Sequence, residues 1–181
     1  MNMEQDLDKV ILSKEQISER VRELGEIINQ DYSDKQLFVI GILRGAAVFM
    51  ADLIRQIDLP MELDFMAVSS YGISTKSSGV VRIVKDLDST ITDKDVLIVE
   101  DIVDSGLTLK YIVENLKSRK PASIRLCTLL DKPSRRVADV EVQYNGFIIP
   151  DEFVVGYGLD YGEKYRNLPY IGVLKPEVYS K

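Results

Sequence analysis

Histidine is absent from the sequence, and cysteine occurs once. The lack of histidine excludes catalytic triads with an imidazole base and histidine-rich zinc sites. Any catalysis must therefore use carboxylates, lysine, tyrosine or groups bound to a metal ion. The single cysteine, Cys127, lies in an apolar run, and we interpret it as an inert buried thiol. One cysteine excludes a disulfide framework, which fits a reducing compartment, so we expect a cytoplasmic protein.

Long hydrophobic runs and an excess of positive charge are also lacking. The apolar run at residues 37–43 is far shorter than the roughly 20 residues needed to span a bilayer. The N-terminus, MNMEQD, has no apolar segment of the kind found in secretory signals. The formal net charge of −6 argues against a general nucleic-acid binder, which presents a basic face. We expect neither a membrane nor a nucleic acid as a partner.

The residues that are present describe one globular unit. Hydrophobic residues make up 45% of the 181 residues and charged residues 29%, which is enough to bury a core beneath a polar surface. The length is large for one ordinary domain and small for two. We find no internal repeat, low-complexity tract or linker, so we expect a single domain over residues 1–181.

The most informative stretch is residues 96–109, where an apolar segment leads into acidic and then small hydroxylated residues. The run at 96–99 is typical of a strand buried on both faces of a parallel sheet. Apolar residues recur at spacings of three and four after Gly106, which predicts a helix packed against that sheet. These apolar residues are Leu109, Ile112, Val113 and Leu116. The prediction is a strand, an acidic loop and a helix.

Two features of this loop conflict. Residues 105–108 place backbone N–H groups and two hydroxyls at a helix N-terminus, which attracts a phosphate. Beside them stand the carboxylates of Glu100, Asp101 and Asp104. Acids repel a phosphate unless each serves a hydroxyl, a cation or a proton. The pattern therefore predicts a phosphate site with three acids in separate tasks.

Basic residues follow two further predicted strands, at 37–43 and 123–130. Arg44 follows the first strand and precedes a turn and a helix, and Lys132 follows the second. Open α/β sheets bind ligands at the carboxyl ends of their strands, so both residues are candidates for ligand contact. The alternative, that they are solvated turn residues, stays open. We interpret Arg135 and Arg136 as surface residues.

A hairpin with a polar tip is predicted between these strands. Residues 61–69 alternate apolar and polar positions, and residues 80–84 return as a second arm. The ten residues at 70–79 are small, flexible and hydroxylated. They form either a disordered tip or a lid whose closure Tyr71 and Lys76 would report.

Weaker signals complete the secondary structure. A capping box at Ser13 and Gln16 predicts a helix. Residues 140–144 alternate as a short strand that a turn at Asn145 and Gly146 ends. Residues 170–174 form a last strand. Together these elements predict an α/β fold.

The stretch 96–109 is similar throughout to the phosphoribosyl pyrophosphate signature of the type I phosphoribosyltransferases. Further motifs resemble the hypoxanthine-guanine branch of that family, and the resemblance covers residues 37–174. These motifs are Leu43-Arg44-Gly45, Ser69-Ser70-Tyr71-Gly72, Asp131-Lys132-Pro133, and Pro150 to Asp160 with Arg166. Leu107 departs from some members, which carry a lysine there.

The resemblance implies an α/β fold with a central, mainly parallel sheet flanked by helices, a small hood region and a flexible lid hairpin. The core corresponds to about residues 34–145 and the hood to residues 1–15 and 146–181. Since the family commonly forms dimers or tetramers, a homodimer or homotetramer is expected.

The resemblance also implies a reaction of purine salvage. Hypoxanthine or guanine displaces pyrophosphate from 5-phosphoribosyl 1-pyrophosphate (PRPP) with Mg²⁺, which gives IMP or GMP. Two alternatives stay open: a phosphoribosyltransferase that prefers xanthine or a pyrimidine, and a non-catalytic regulator that senses PRPP. The acidic net charge counts against a regulator that binds RNA or DNA.

The family's signature assigns the sugar phosphate and the general base to the central stretch. The 5′-phosphate would bind to Ser105, Gly106, Leu107 and Thr108. Asp104, with these residues, would border the ribose and face the purine N7 as general base. Glu100 and Asp101 would take the ribose hydroxyls, directly or through Mg²⁺. Asp160 resembles a further carboxylate on the magnesium side, and oxygen ligands suit this ion.

The other motifs supply the pyrophosphate site and the lid. Arg44 and Gly45, in a turn that can hold a cis peptide in the family, would contact pyrophosphate with Arg166. Ser70 and Tyr71 would begin the lid.

The purine site would be formed late in the chain. Lys132 would donate to the 6-oxo group that hypoxanthine and guanine carry and adenine lacks. Phe153 would stack on the ring, and backbone groups around Val154 and Asp160 would read its 2-position.

Overall fold

The protein is described here by a computed structural model of residues 3–70 and 81–180. Its strands and helices alternate along most of the chain. In order they are β1 (Leu7–Leu12), α1 (Lys14–Asp31), β2 (Leu37–Leu43), α2 (Ala47–Leu53), β3 (Met61–Ser70), β4 (Val81–Lys85), β5 (Asp95–Val103), α3 (Leu107–Lys117), β6 (Ser123–Asp131), β7 (Tyr144–Ile148), β8 (Val154–Val155), β9 (Ile171–Leu174) and α4 (Pro176–Tyr179).

Within the described residues, six strands form one sheet in the order β4-β3-β2-β5-β6-β7. All neighbours are parallel except β4, which is antiparallel to β3. This mainly parallel sheet with helices confirms the predicted α/β class. Strands from the two ends of the chain form a second, antiparallel sheet in the order β1-β9-β8. The division into core and hood at residues 34–145 stays a prediction.

Apolar side chains cover both faces of the central strands, as the continuous apolar runs predict. In β5, Leu97 and Val99 pack with the buried residues of α1 and α2 on one face. Val96 and Ile98 point to the other face and pack with Leu109, Ile112 and Leu116 of α3. Each such side chain contributes about 1.5–3 kcal/mol by leaving water. The sheet is therefore a rigid support for the residues at its carboxyl edge.

The capping box that the sequence predicts is formed at the start of α1. The Gln16 amide donates to Ser13 Oγ (3.3 Å), and the Ser13 amide donates to Gln16 Oε1 (2.8 Å). Cys127 is fully buried in β6, and burial raises the pKa of its thiol. The prediction that this thiol is buried is confirmed.

Three local predictions are wrong. β5 does not stop before the acids but continues to Val103, because it pairs with β6 along its whole length. The strand predicted at residues 140–144 is not formed over 140–143, and β7 begins only at Tyr144. Asn145 and Gly146 lie inside this strand rather than in a turn, because it pairs with β6. A Cβ at Gly146 would lie 2.3 Å from the Leu129 carbonyl oxygen, so the glycine serves the close approach of two strands.

The hairpin arms are present as β3 and β4, which pair from Ala67 to Ser70. The loop with Tyr71 and Lys76 lies outside the described residues, and the lid stays a prediction. Over residues 3–70 and 81–180, none of the helices has the length and apolar character needed to cross a membrane.

Candidate active site

The carboxyl ends of β5 and β6 open onto a cavity of about 490 Å³. Parallel strands end at the same edge of a sheet, which is where open α/β folds bind ligands. The cavity brings together six residues that the sequence assigns to the site, Asp101, Asp104, Lys132, Phe153, Val154 and Asp160. It is also lined by Ile102, Arg135, Asp151, Glu152, Leu159 and Tyr179.

A smaller cavity of about 110 Å³ adjoins the start of α3 and shares Asp104 with the larger one. Its other lining residues include Glu100, Ser105, Gly106 and Thr108. Gly106 adopts a φ of 79°, in the left-handed region that glycine tolerates best, and α3 begins at the next residue. This places the first amide groups of the helix at the cavity.

The loop before α3 is fixed from outside by a neighbouring segment. The Val137 and Ala138 amides both donate to the Ser105 carbonyl at 2.9 Å. The Leu107 amide lies 3.4 Å from Ser105 Oγ, while the Leu107 side chain is exposed at the first helical position. The loop therefore offers backbone and hydroxyl groups to an anion, and Leu107 adds only its amide.

Glu100 and Asp101 form a partly buried acidic pair near the end of β5. The Asp101 amide donates to Glu100 Oε1 at 3.2 Å, and the Ile102 amide donates to Asp101 Oδ1 at 2.7 Å. Burial raises the pKa of both carboxyls, and the neighbouring Asp101 raises that of Glu100 further, to well above its usual range. A proton or a cation is therefore favoured at this pair.

The chemistry of this pair fits Mg²⁺, which prefers oxygen ligands. Within the described part of the chain, no three His, Cys, Asp or Glu side chains form a group that could hold an ion by themselves. Magnesium is commonly bound by one or two carboxylates together with substrate oxygens and water. Glu100 and Asp101 fit that pattern. Asp160 lines the same cavity as Asp101, where its Oδ1 lies 2.8 Å from Arg166 Nη2 and its Oδ2 accepts from the Glu163 amide. Its place on the magnesium side stays a prediction.

Asp104 has a different environment, because it is nearly half exposed and paired with an arginine. Arg135 Nε donates to Asp104 Oδ1 at 3.0 Å, and Arg135 Nη1 lies 3.4 Å from Asp151 Oδ2. The sequence predicts Arg135 only as a surface residue. Its exposure agrees with that, but its contact with Asp104 was missed. Its position one short turn after Lys132, at the end of the same strand, could have placed Arg135 near the site.

Lys132 is buried, with 7% of the residue exposed. Its Nζ donates to the Glu152 carbonyl oxygen at 2.7 Å and lies 3.8 Å from Asp151 Oδ1. The alternative of a solvated turn lysine is therefore wrong. The ammonium group is held at the wall of the larger cavity.

Phe153 presents a partly exposed ring to the same cavity. Tyr179 of α4 stacks on it, with ring centroids 4.8 Å apart and planes 20° apart. Tyr161 meets it edge-on at 5.6 Å. Sequence reasoning missed Tyr179, because only the folded chain brings α4 beside Phe153.

Arg44 and Gly45 lie at the turn between β2 and α2, and the Leu43–Arg44 peptide is cis. A Cβ at Gly45 would lie 1.6 Å from Asp101 Oδ2, so any larger residue there would displace the Asp101 carboxylate. A Cβ at Gly158 would in turn lie 2.1 Å from the Gly45 carbonyl oxygen. Close backbone contacts thus bring the turn, β5 and the segment with Arg166 together.

Arg166 and Arg44 both contact Glu163 on this side of the site. Arg166 Nη1 donates to the Gly158 carbonyl at 2.8 Å, and Arg166 Nη2 pairs with Asp160. Arg44 Nη2 lies 2.7 Å from Glu163 Oε1, and Glu163 Oε2 lies 3.4 Å from Arg166 Nη2. Sequence reasoning did not find Glu163, which joins the two arginines.

Comparison with known proteins agrees with this geometry. Residues 9–162 match the family model of the phosphoribosyl transferase domain. The chain is 58% identical over 178 residues to the hypoxanthine-guanine phosphoribosyltransferase of Bacillus subtilis (strain 168), with 98% of this chain and 99% of the relative covered. It is 59% identical over 179 residues to the enzyme of that name from Staphylococcus epidermidis, with 99% and 100% covered.

A solved structure is equally similar. The crystal structure of a hypoxanthine phosphoribosyltransferase from Staphylococcus aureus superposes with a TM-score of 0.96 at 58% identity, and 99% of this chain and 97% of that one are covered. Sequence similarity and the fold are therefore shared with these relatives along nearly the whole chain. The chain belongs to the phosphoribosyltransferase family, in its hypoxanthine-guanine branch.

Proposed function

We propose that the protein transfers the phosphoribosyl group of PRPP to hypoxanthine or guanine, and that the cavity between Asp104 and Phe153 binds the purine. One observation carries this proposal: a buried ammonium group, on Lys132, and a carboxylate, on Asp104, line the same cavity. A 6-oxopurine with a proton on N7 offers an acceptor to the first and a donor to the second.

Lys132 selects among purines through its charge. A 6-oxo group accepts from the ammonium, whereas the amino group of adenine is a donor and leaves one N–H of a buried ammonium without an acceptor. Sites that bond a polar substrate group discriminate strongly against analogues that lack it. The bond from Lys132 Nζ to the Glu152 carbonyl fixes the direction from which this donor approaches.

Asp104 acts as the general base. As the C1′–O bond to pyrophosphate breaks and the purine N9 bonds to C1′, the proton on N7 passes to the Asp104 carboxylate. The reacting ribose carries oxocarbenium character, as in glycoside cleavage. Arg135 donates to one oxygen of the Asp104 carboxylate, so the other oxygen can accept the N7 proton of the purine.

The sugar phosphate binds across the smaller cavity. The amides and hydroxyls at residues 105–108 receive the 5′-phosphate at the start of α3. Glu100 and Asp101 border the ribose hydroxyls and would hold Mg²⁺, which when bound supplies positive charge for the departing pyrophosphate. Arg44 and Arg166 supply the protein's own positive charge for that group. Separate tasks for the three acids remove the conflict between carboxylates and phosphate.

A substrate panel tests this function. Purified protein is given PRPP and Mg²⁺ with hypoxanthine, guanine, xanthine, adenine or uracil, and nucleotide formation is followed. We expect rapid formation of IMP and GMP and little product with adenine or uracil. Faster turnover of xanthine would assign the protein to that alternative. PRPP binding without product from any base would point to the regulator.

The proposal includes a homodimer or homotetramer and a cytoplasmic location. Sedimentation of the purified protein at micromolar concentration tests the first, since a monomer would contradict it. Cell fractionation tests the second.

A further inference from the structure

Glu163 bridges the two arginines that the proposed function assigns to pyrophosphate. Its Oε1 lies 2.7 Å from Arg44 Nη2 and its Oε2 lies 3.4 Å from Arg166 Nη2. Arg44 follows β2, whereas Arg166 lies in the segment between β8 and β9. The two guanidinium groups thus come from distant parts of the chain and share one carboxylate.

The backbone of Glu163 is held in place, whereas its side chain is exposed. Its backbone is fixed, because the Glu163 amide donates to Asp160 Oδ2 at 2.9 Å. Its side chain is 57% exposed, and its partner Arg44 is 69% exposed. The carboxylate can therefore leave the arginines for water without breaking the loop that carries it.

Arg166 keeps other contacts when Glu163 leaves. It is only 26% exposed, pairs with Asp160 Oδ1 at 2.8 Å and donates to the Gly158 carbonyl. Arg166 therefore stays in place as an anchor, while Arg44 is free to turn toward a new anion. The arrangement separates a fixed cation from a mobile one.

A carboxylate between two guanidinium groups resembles a phosphoryl group in charge and in its two acceptor oxygens. Pyrophosphate and Glu163 cannot both occupy the space between these arginines. A displaced Glu163 would also remain close enough to repel the bound anion. Both effects oppose binding of pyrophosphate.

We propose that Glu163 is an internal competitor for the pyrophosphate group. In the free protein it holds Arg44 and Arg166, and it lowers the affinity for inorganic pyrophosphate and for the pyrophosphate end of PRPP. The same contact favours release of the product pyrophosphate, because the Glu163 carboxylate pairs with both arginines again. This inference rests on the proposed roles of Arg44 and Arg166.

The test is Glu163→Gln, which keeps size and removes charge. Inorganic pyrophosphate is titrated calorimetrically into the full-length protein with Mg²⁺ present. Exposed ion pairs contribute little individually, so we expect the affinity to rise about two- to fivefold. The KM for PRPP falls by a similar factor, and the KM for hypoxanthine does not change. The gain shrinks in high salt, because screening weakens exposed charges.

Glu19→Gln is the matched control. It removes the same charge and also breaks an exposed glutamate–arginine pair, with Arg22 at 2.6 Å on α1. We expect its affinity for pyrophosphate to equal that of the unaltered protein. An equal gain in both variants would mean that net charge alone acts, and would overturn the proposal.

Arg44→Ala and Arg166→Ala separate this inference from the function beneath it. If each weakens pyrophosphate binding by about tenfold or more while Glu163→Gln leaves it unchanged or weaker, the arginine roles hold and the competitor is wrong. If neither arginine variant affects binding, the assigned pyrophosphate site is wrong and the inference falls with it.

Discussion

Two sets of acids lie near the end of β5, and their surroundings are opposite. Glu100 and Asp101 are partly buried within the strand, and burial raises the pKa of both. Asp104 lies just beyond the strand, where water reaches it and Arg135 neutralises it. A proton or a cation is favoured at Glu100 and Asp101, whereas the Asp104 carboxylate already has Arg135 as its counter-ion.

This difference shows how one short segment supports two kinds of chemistry. Strand pairing with β6 holds Glu100 and Asp101 at the wall, next to Gly45. Release from the strand after Val103 lets Asp104 reach both cavities. In our account the buried pair serves the ribose and its cation, and the exposed acid serves the purine.

Replacement of Asp104 gives the largest expected effect on catalysis. Asp104→Asn removes the proton acceptor but keeps the shape, so we expect the single-turnover rate to fall about 10²- to 10⁴-fold. Rapid-quench measurement of IMP formation at saturating substrates checks this. A rate within threefold of the unaltered protein would show that the two sets of acids are not divided as we propose.

Replacement of Lys132 tests the purine side of the comparison. Lys132→Ala removes a buried charged donor, and we expect kcat/KM for hypoxanthine and guanine to fall about 10²-fold. The ratio of hypoxanthine to adenine use should fall with it. An unchanged ratio in competition assays would remove Lys132 from base recognition.

Replacement of Arg135 tests whether the counter-ion of Asp104 matters. Arg135→Gln loses an exposed pair, so we expect a decrease in kcat of about three- to fivefold with the KM for PRPP unchanged. Arg135→Lys should recover part of the rate. Equal losses in kcat and PRPP affinity would instead indicate a general disturbance of the site.

Replacement of Glu100 tests the buried pair through stability. In the folded state the pKa of Glu100 is raised, so stability is lost as the pH rises from the ordinary glutamate range through that raised pKa. Without Mg²⁺, Glu100→Gln should therefore increase the free energy of unfolding at pH 8 by about 1 kcal/mol. Little change is expected at pH 4. Urea unfolding at both pH values measures the difference, and a destabilised variant at pH 8 would contradict the account.

The sequence predicts those parts of the fold that depend on local pattern. Continuous apolar runs identified β2, β5 and β6, and the spacing after Gly106 identified α3. The capping box at Ser13 identified the start of α1. Strand limits were less accurate, since the length of β5 and the course of the chain at Asn145 are decided by pairing with β6.

Contacts between distant side chains could not be predicted in this way. Arg135 reaches Asp104, Glu163 bridges two arginines, and Tyr179 stacks on Phe153. Each of these depends on the direction of a side chain in the folded protein rather than on a periodic pattern. The resemblance to a family named many residues of the site, but not these partners.

Binding of PRPP in the presence of Mg²⁺ tests the division between the two sets of acids most directly. Calorimetric titrations of Glu100→Gln and Asp104→Asn are compared with the unaltered protein. Our account predicts that Glu100→Gln weakens binding about tenfold or more, because it replaces an anionic ligand of the cation and the ribose by a neutral amide. Asp104→Asn should stay within about twofold, since its partner is the purine. Equal weakening in both variants would contradict the account.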